Sequence, residues 1–237
     1  MNIVGLYKKE IKSYFNSPIA YLVVLFFVLF SNIYFLFFNQ FIARNVASLR
    51  GYFDLMPLIF IMLLPSITMR SWAEEKKSGT EELLLTLPLT NWELVLAKYF
   101  SSFTLLVIMF AVTLFVPLTL GALGSFERGQ IFGEYFGTLL LGAAGLAIGQ
   151  FISSVTSNQI SAYIFSVVAI LFITMVGDIS LFVNPAATIS KILNYLSFTY
   201  HYDSFRKGLI DTRDLLYFLL IITYFLYLNV KVINLRK

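Results

Sequence analysis

Long apolar runs separated by short polar intervals dominate the chain. Six of them approach the roughly 20 residues needed to cross a hydrocarbon core of about 30 Å: residues 19–38, 52–69, 91–120, 131–155, 160–176 and 215–230. Only Ser31 and Asn32 interrupt the first, whereas Pro57 and Pro65 predict a kink or broken turn in the second. The third would be about 45 Å long if wholly helical. Its first two turns carry Asn91, Trp92, Glu93 and Lys98, which places them at the membrane interface. Ahead of the first run, Val4, Tyr7, Ile11, Tyr14 and Phe15 recur at helical spacing, with Lys8, Lys9, Glu10 and Lys12 opposite. That pattern predicts an amphipathic helix over residues 1–17, lying in the inner interface. Between runs five and six, Ile189, Ile192, Leu193 and Leu196 predict short amphipathic or re-entrant helices, followed by an aromatic cap around His201. The pattern as a whole predicts one all-α integral membrane domain over residues 1–237.

Composition agrees with that reading. The chain is 59% hydrophobic and 13% charged, with a mean hydropathy of +0.82, whereas soluble domains carry about 25% charged residues. The first apolar run starts late and is too long for a secretory signal, so it reads as a retained span. Lysines and arginines are more numerous in the segments holding residues 8–12, 70–77 and 231–237 than in the intervening ones, and acidic residues offset much of the opposing set. The positive-inside rule then puts both termini in the cytoplasm.

Several chemistries are excluded. There are no cysteines, hence no disulfides or thiolate sites. The only histidine is His201 and no His/Asp/Glu cluster has metal-ligand spacing, and no phosphate-binding glycine loop or nucleophile motif occurs. A net charge of +4, dispersed along the chain, does not suit nucleic acid. Residues 19–38, 101–120, 135–155 and 215–230 contain no Asp, Glu, Lys, Arg or His, which weighs against an ion-coupled carrier or proton pump. No residue here is catalytic, and driven work would need energy from another chain.

The polar interval at residues 70–98 carries the most information. Glu74, Glu75 and Lys76 lead to Gly79, a natural helix terminator that tolerates φ > 0. Thr80 is then placed as an N-cap, with Glu81 and Glu82 in the first turn. Leu83, Leu84, Leu85 and Leu87 follow until Pro88 ends the short helix, and Thr90 to Glu93 forms a capping box for the next span. In span four, Gly133, Gly137, Gly145 and Gly149 make a small-residue stripe that permits close helix packing, either within the subunit or between subunits.

The run EEKKSGTEELLLTLP, residues 74–88, resembles the coupling-helix region of ABC-2-type ABC transporter permeases, and Lys98 matches the lysine that begins their next span, although Ala97 stands where glycine is frequent. The uncharged turn at 153–160 resembles that family's tight cytoplasmic loop between spans four and five, and the N-terminal YFNSPIAY and the run HYDSFRKGLIDTRDLLY resemble its gliding-motility, GldF-type branch. The resemblance implies a non-catalytic inner-membrane subunit. Its coupling residues would be Glu74, Glu75, Lys76, Gly79, Thr80, Glu81, Leu84 and Pro88. They would dock on a cytosolic ABC ATPase dimer, which binds the ATP and Mg; this chain needs no cofactor of its own. A second membrane subunit, either a homologous copy or a larger GldG-type partner, is implied too. A non-transporting scaffold driven by the same ATPase, or a secondary carrier, are the rival readings.

Overall fold

The computed structural model describes residues 2–38, 48–120, 127–179 and 188–236. Among them there are helices and turns and no strand. The chain opens with α1 (Ile3–Asn16) and α2 (Pro18–Ile33), which ends in a π-helical turn, Tyr34–Phe38. A single helical turn, α3 (Arg50–Phe53), precedes α4 (Met56–Thr68), α5 (Ala73–Ser78) and α6 (Thr80–Leu85). Then come α7 (Asn91–Thr113), α8 (Phe115–Leu120), α9 (Arg128–Val155), α10 (Gln159–Ile179), α11 (Thr188–Leu196), α12 (Phe198–Arg206) and α13 (Thr212–Asn234). Six helical stretches are long and apolar enough to span a membrane. The protein is an all-α, multi-pass membrane protein.

The polar interruptions of the first span have a local use. Ser31 Oγ donates to the Phe27 carbonyl and Asn32 Nδ2 to that of Val28, both 2.7 Å away, immediately before the π-helical turn. Such back-bonding competes with the helical ladder and loosens it. In the second span Pro57 sits in the first turn of α4, where a missing N–H costs nothing, while Pro65 lies inside the helix. The third span is divided at Leu114 into α7 and α8.

Helix α9 is the axis of the bundle and touches α4, α7, α10, α12 and α13. Its glycines make that crowding possible. A Cβ at Gly133 would meet the backbone of Gly208, at Gly137 the Phe205 ring, at Gly145 the Leu64 side chain and at Gly149 that of Thr68. All four partners belong to the same chain, so the stripe is used for packing within the subunit. The partners also run in order along α9, from α12 at its first turns to the end of α4 near its last. The α11–α12 pair and the α5–α6 hairpin therefore lie at opposite ends of the bundle.

Candidate functional site

The α5–α6 hairpin forms a foot beneath the bundle. Gly79 turns it, with φ of 71°, and its N–H donates to the Lys76 carbonyl at 3.2 Å. Only glycine adopts this left-handed conformation without strain. Thr80 does not cap α6 as its spacing suggests. Its hydroxyl lies 2.9 Å from Ser78 Oγ and 3.4 Å from the Glu75 carbonyl, so it closes α5 rather than opening α6. The next helix start matches the sequence pattern: the Thr90 N–H donates to Glu93 Oε2 at 2.8 Å, and the Glu93 N–H donates to Thr90 Oγ1 at 3.3 Å. Leu84 is buried, Pro88 lies exposed beyond the end of α6, and Leu83 points outward with 72% of its surface bare.

Four polar attachments fix this foot to the transmembrane helices. The first is an ion cluster around Lys98, whose side chain is only 2% exposed. Its Nζ lies 3.0 Å from Glu10 Oε1 and 2.8 Å from Glu75 Oε1, and 4.9 Å from the centre of the buried Trp72 ring. One cation thus joins α1, α5 and α7. The second is Ser153, near the end of α9, whose hydroxyl accepts the N–H groups of Trp72 and Ala73 at 3.1 and 3.2 Å. Those are orphan donors of the first turn of α5, so a side chain 80 residues away in sequence acts as its cap. Third, Lys76 Nζ donates to the carbonyls of Ser154 and Thr156, the latter at 3.0 Å. The uncharged turn after α9 is where those carbonyls become free, because a helix ends there. Fourth, Glu81 pairs with Arg236 at 2.9 Å and Asn91 bonds Asn234, which ties α6 and the start of α7 to the end of α13. The Glu74 carboxylate has a long contact, 3.8 Å, with Arg70.

Helix α1 is built into this arrangement. Tyr7 bonds Thr104 Oγ1 at 2.8 Å, while Tyr14 bonds Ser102 Oγ at 2.9 Å and donates to the Ile67 carbonyl at 3.1 Å. Burial pushes the Tyr14 hydroxyl up to about 12, against the opposing hydrogen bond from Ser102, so it keeps the proton it donates. The packed stripe is Ile3, Leu6, Tyr7, Glu10 and Tyr14, with Ile11 half-buried at its margin; Val4 and Phe15, placed on the apolar face by spacing, are exposed. Glu10, assigned to the polar face with the lysines, turns inward to Lys98. It lies three residues after Tyr7 and four before Tyr14, so the helical period does put it between them. Lys98 likewise is a buried bolt, because two carboxylates and an indole ring receive it.

At the opposite end, Arg206 pairs with Asp54 at 2.7 Å and with Asp203. Tyr202, fully buried, bonds Thr138 Oγ1 and the Phe53 carbonyl. His201 is buried too: Nδ1 is 2.6 Å from Asp214, Nε2 is 2.9 Å from the Tyr195 carbonyl, and the ring stacks on Tyr217 at 3.8 Å. These contacts join α12 to α13, and no group of metal-ligating residues occurs among the described residues. Glu134, one position outside the charge-free stretch at 135–155, is wholly buried in α9 and bonded to Gln130 at 2.9 Å. Span four therefore does contain an ionisable side chain.

Comparison with curated proteins gave no significant match. A family model described as ABC-2 family transporter protein matches residues 4–233, nearly the whole chain, and so includes α1, the foot and all six spans. The chain belongs to the ABC-2 family of transporter proteins.

Proposed function

We propose that this subunit couples nucleotide hydrolysis in a separate ABC ATPase to movement of its six spans, and that the α5–α6 foot is the point of entry. The observation that carries this reading is the contrast within the foot. Its inner side is bolted to α1, α7, α9 and the end of α13 through Lys98, Ser153, Lys76 and Glu81. Its tip, from Lys77 to Thr80 together with Glu82 and Leu83, is bare. A hairpin with an exposed leucine on its second helix can take a push from a partner and pass it to most of the bundle at once. In this reading the foot and both termini are cytoplasmic, and the membrane is the bacterial inner membrane. The partner ATPase dimer holds the ATP and Mg, and this chain is non-catalytic. Two membrane subunits form the full assembly, this chain with a homologous copy or with a larger GldG-type partner. The sequence likeness of the N-terminal and α12–α13 segments supports a gliding-motility role of the GldF type.

The test uses the ATPase that copurifies with the wild-type chain from native membranes. Leu83→Glu removes the exposed contact without touching any internal bolt, and loss of one buried leucine contact is worth about 1.5–3 kcal/mol, or roughly 10–100-fold in affinity. Gly79→Val strains the turn. Both variants are expected to lose the ATPase on purification and to abolish stimulation of hydrolysis. Wild-type association and stimulation in both would refute the assignment. ATP-dependent substrate uptake into inverted vesicles then separates export from purely mechanical work.

A further inference from the structure

Helix α1 carries more positive charge than the bundle uses. At about 100° per residue, the stripe that packs on α7 leaves three other directions open. Val4, Ile11 and Phe15 fall on one flank, Lys9, Ser13 and Asn16 on the other, and Lys8 and Lys12 point away from the bundle. Val4 and Phe15 are exposed, and Phe15 meets Tyr21 of α2 edge-on, with ring centres 6.1 Å apart. The apolar flank therefore faces hydrocarbon and the polar flank water, which puts Lys8 and Lys12 between them, at the level of the headgroups. Glu10, the one acid of α1, is taken by Lys98. Lys9 lines a cleft together with Glu10, Glu74 and Glu75. Lys8 and Lys12 are exposed, and neither pairs with an acid among the described residues. Two like charges on adjacent turns of one helix face repel each other unless an anion sits between them.

A groove of about 310 Å³ opens on the same apolar flank. Ile3, Val4 and Tyr7 form one wall and Ala97, Phe100 and Thr104 of α7 the other. The Tyr7 and Thr104 hydroxyls meet at 2.8 Å, so the groove offers its occupant mainly carbon. Phe100, half exposed, lies about two and a half turns beyond the polar start of the third span, at hydrocarbon depth. Lys8 follows Val4 by one turn, and its long stem reaches from the helix to the headgroup layer. We propose that this face of α1 holds one anionic phospholipid, with its phosphate between the Lys8 and Lys12 ammonium groups and one acyl chain in the α1–α7 groove. Charge and depth select that occupant together. A zwitterionic headgroup brings a cation of its own to the lysines, and neither an acidic protein segment nor inorganic phosphate has a chain for the groove. The inference needs the membrane-spanning fold and is independent of the ATPase reading.

The full-length chain, stripped in detergent, is re-lipidated with an equimolar mixture of phosphatidylglycerol and phosphatidylcholine of identical acyl chains and examined by native mass spectrometry. One phosphatidylglycerol per chain is expected to survive, retained about thirtyfold over phosphatidylcholine, the factor expected from two lysines at an anionic headgroup. Lys8→Gln combined with Lys12→Gln is expected to abolish that preference, each change alone costing about fivefold. Lys9→Gln removes the same charge from the polar flank and is expected to leave the preference unchanged. All three lysines are exposed, so the variants keep the wild-type helical circular dichroism spectrum. Should the double variant fail to fold, the single ones decide. Equal retention of the two lipids means that the lysines select no lipid. Equal losses in Lys9→Gln and Lys8→Gln mean diffuse attraction to a basic helix. Displacement by glycerophosphoglycerol or inorganic phosphate at matched concentration means a soluble ligand. Any of these outcomes overturns the proposal.

Discussion

Lys98 offers the sharpest test of how the foot is held. Its ammonium makes ion contacts of 3.0 and 2.8 Å with Glu10 and Glu75. At an effective dielectric of about 20, each contact near 3 Å is worth about 5–6 kcal/mol. Against that stands a desolvation cost of several kcal/mol for each of the three ions. The intact cluster is therefore close to neutral compared with an apolar replacement of the whole. Removing the lysine alone is different, because it leaves two carboxylates facing one another with 15% side-chain exposure each. Lys98→Met is expected to destabilise the chain by about 3–5 kcal/mol, the usual cost of orphaning a buried charge. The triple variant Lys98→Met, Glu10→Gln, Glu75→Gln is expected to recover most of that loss. Unfolding in mixed micelles, followed by SDS titration, measures both. A loss below about 1 kcal/mol for the single variant, or no recovery in the triple, would refute the claim that this cluster pins α1 and α5 to α7.

Other consequences follow from the same geometry. Ser153→Ala leaves the N–H groups of Trp72 and Ala73 without their acceptor; a loss of about 1–3 kcal/mol is expected in the same titration. Gly137→Val would drive a side chain into the Phe205 ring, and Gly149→Val into Thr68, each costing about 1–3 kcal/mol. Gly129→Ala meets nothing within 4 Å and is expected to be neutral or stabilising by up to about 1 kcal/mol. Burial would raise the Asp203 carboxyl, but Lys207 and Arg206 outweigh it and hold the group below the usual carboxylate range. A depressed folded-state value contributes stability above the unfolded value, about pH 4, that is lost as the pH falls through the folded one. Asp203→Asn should therefore weaken acid destabilisation below about pH 4 and leave the slope of stability between pH 6 and 8 unchanged.

Much of this molecule was legible in one dimension. Hydrophobic length alone fixes six spans, because a bilayer demands about 20 apolar residues and internally satisfied backbone bonds. Gly79, Pro88 and the Thr90–Glu93 box likewise declare local backbone conformations, which depend on residues a few positions apart. What the foot is attached to could not be read that way. Glu10, Glu75 and Lys98 meet across 88 residues, Ser153 caps a helix 80 residues upstream, and Glu81 finds Arg236 across 155. Periodicity gives a helix two faces but does not say which neighbour each will meet. So spacing put Val4 and Phe15 on one face of α1 with Tyr7 and Tyr14, whereas the stripe that packs on α7 leaves both of them exposed. The glycines of α9 announced a close approach, and only the packed chain decided that Phe205, Leu64 and Thr68 would make it. A charge inside a membrane protein is tolerated only where another part of the fold receives it. Identity shows that Lys98 is charged, and tertiary structure alone supplies the two carboxylates that let it be buried.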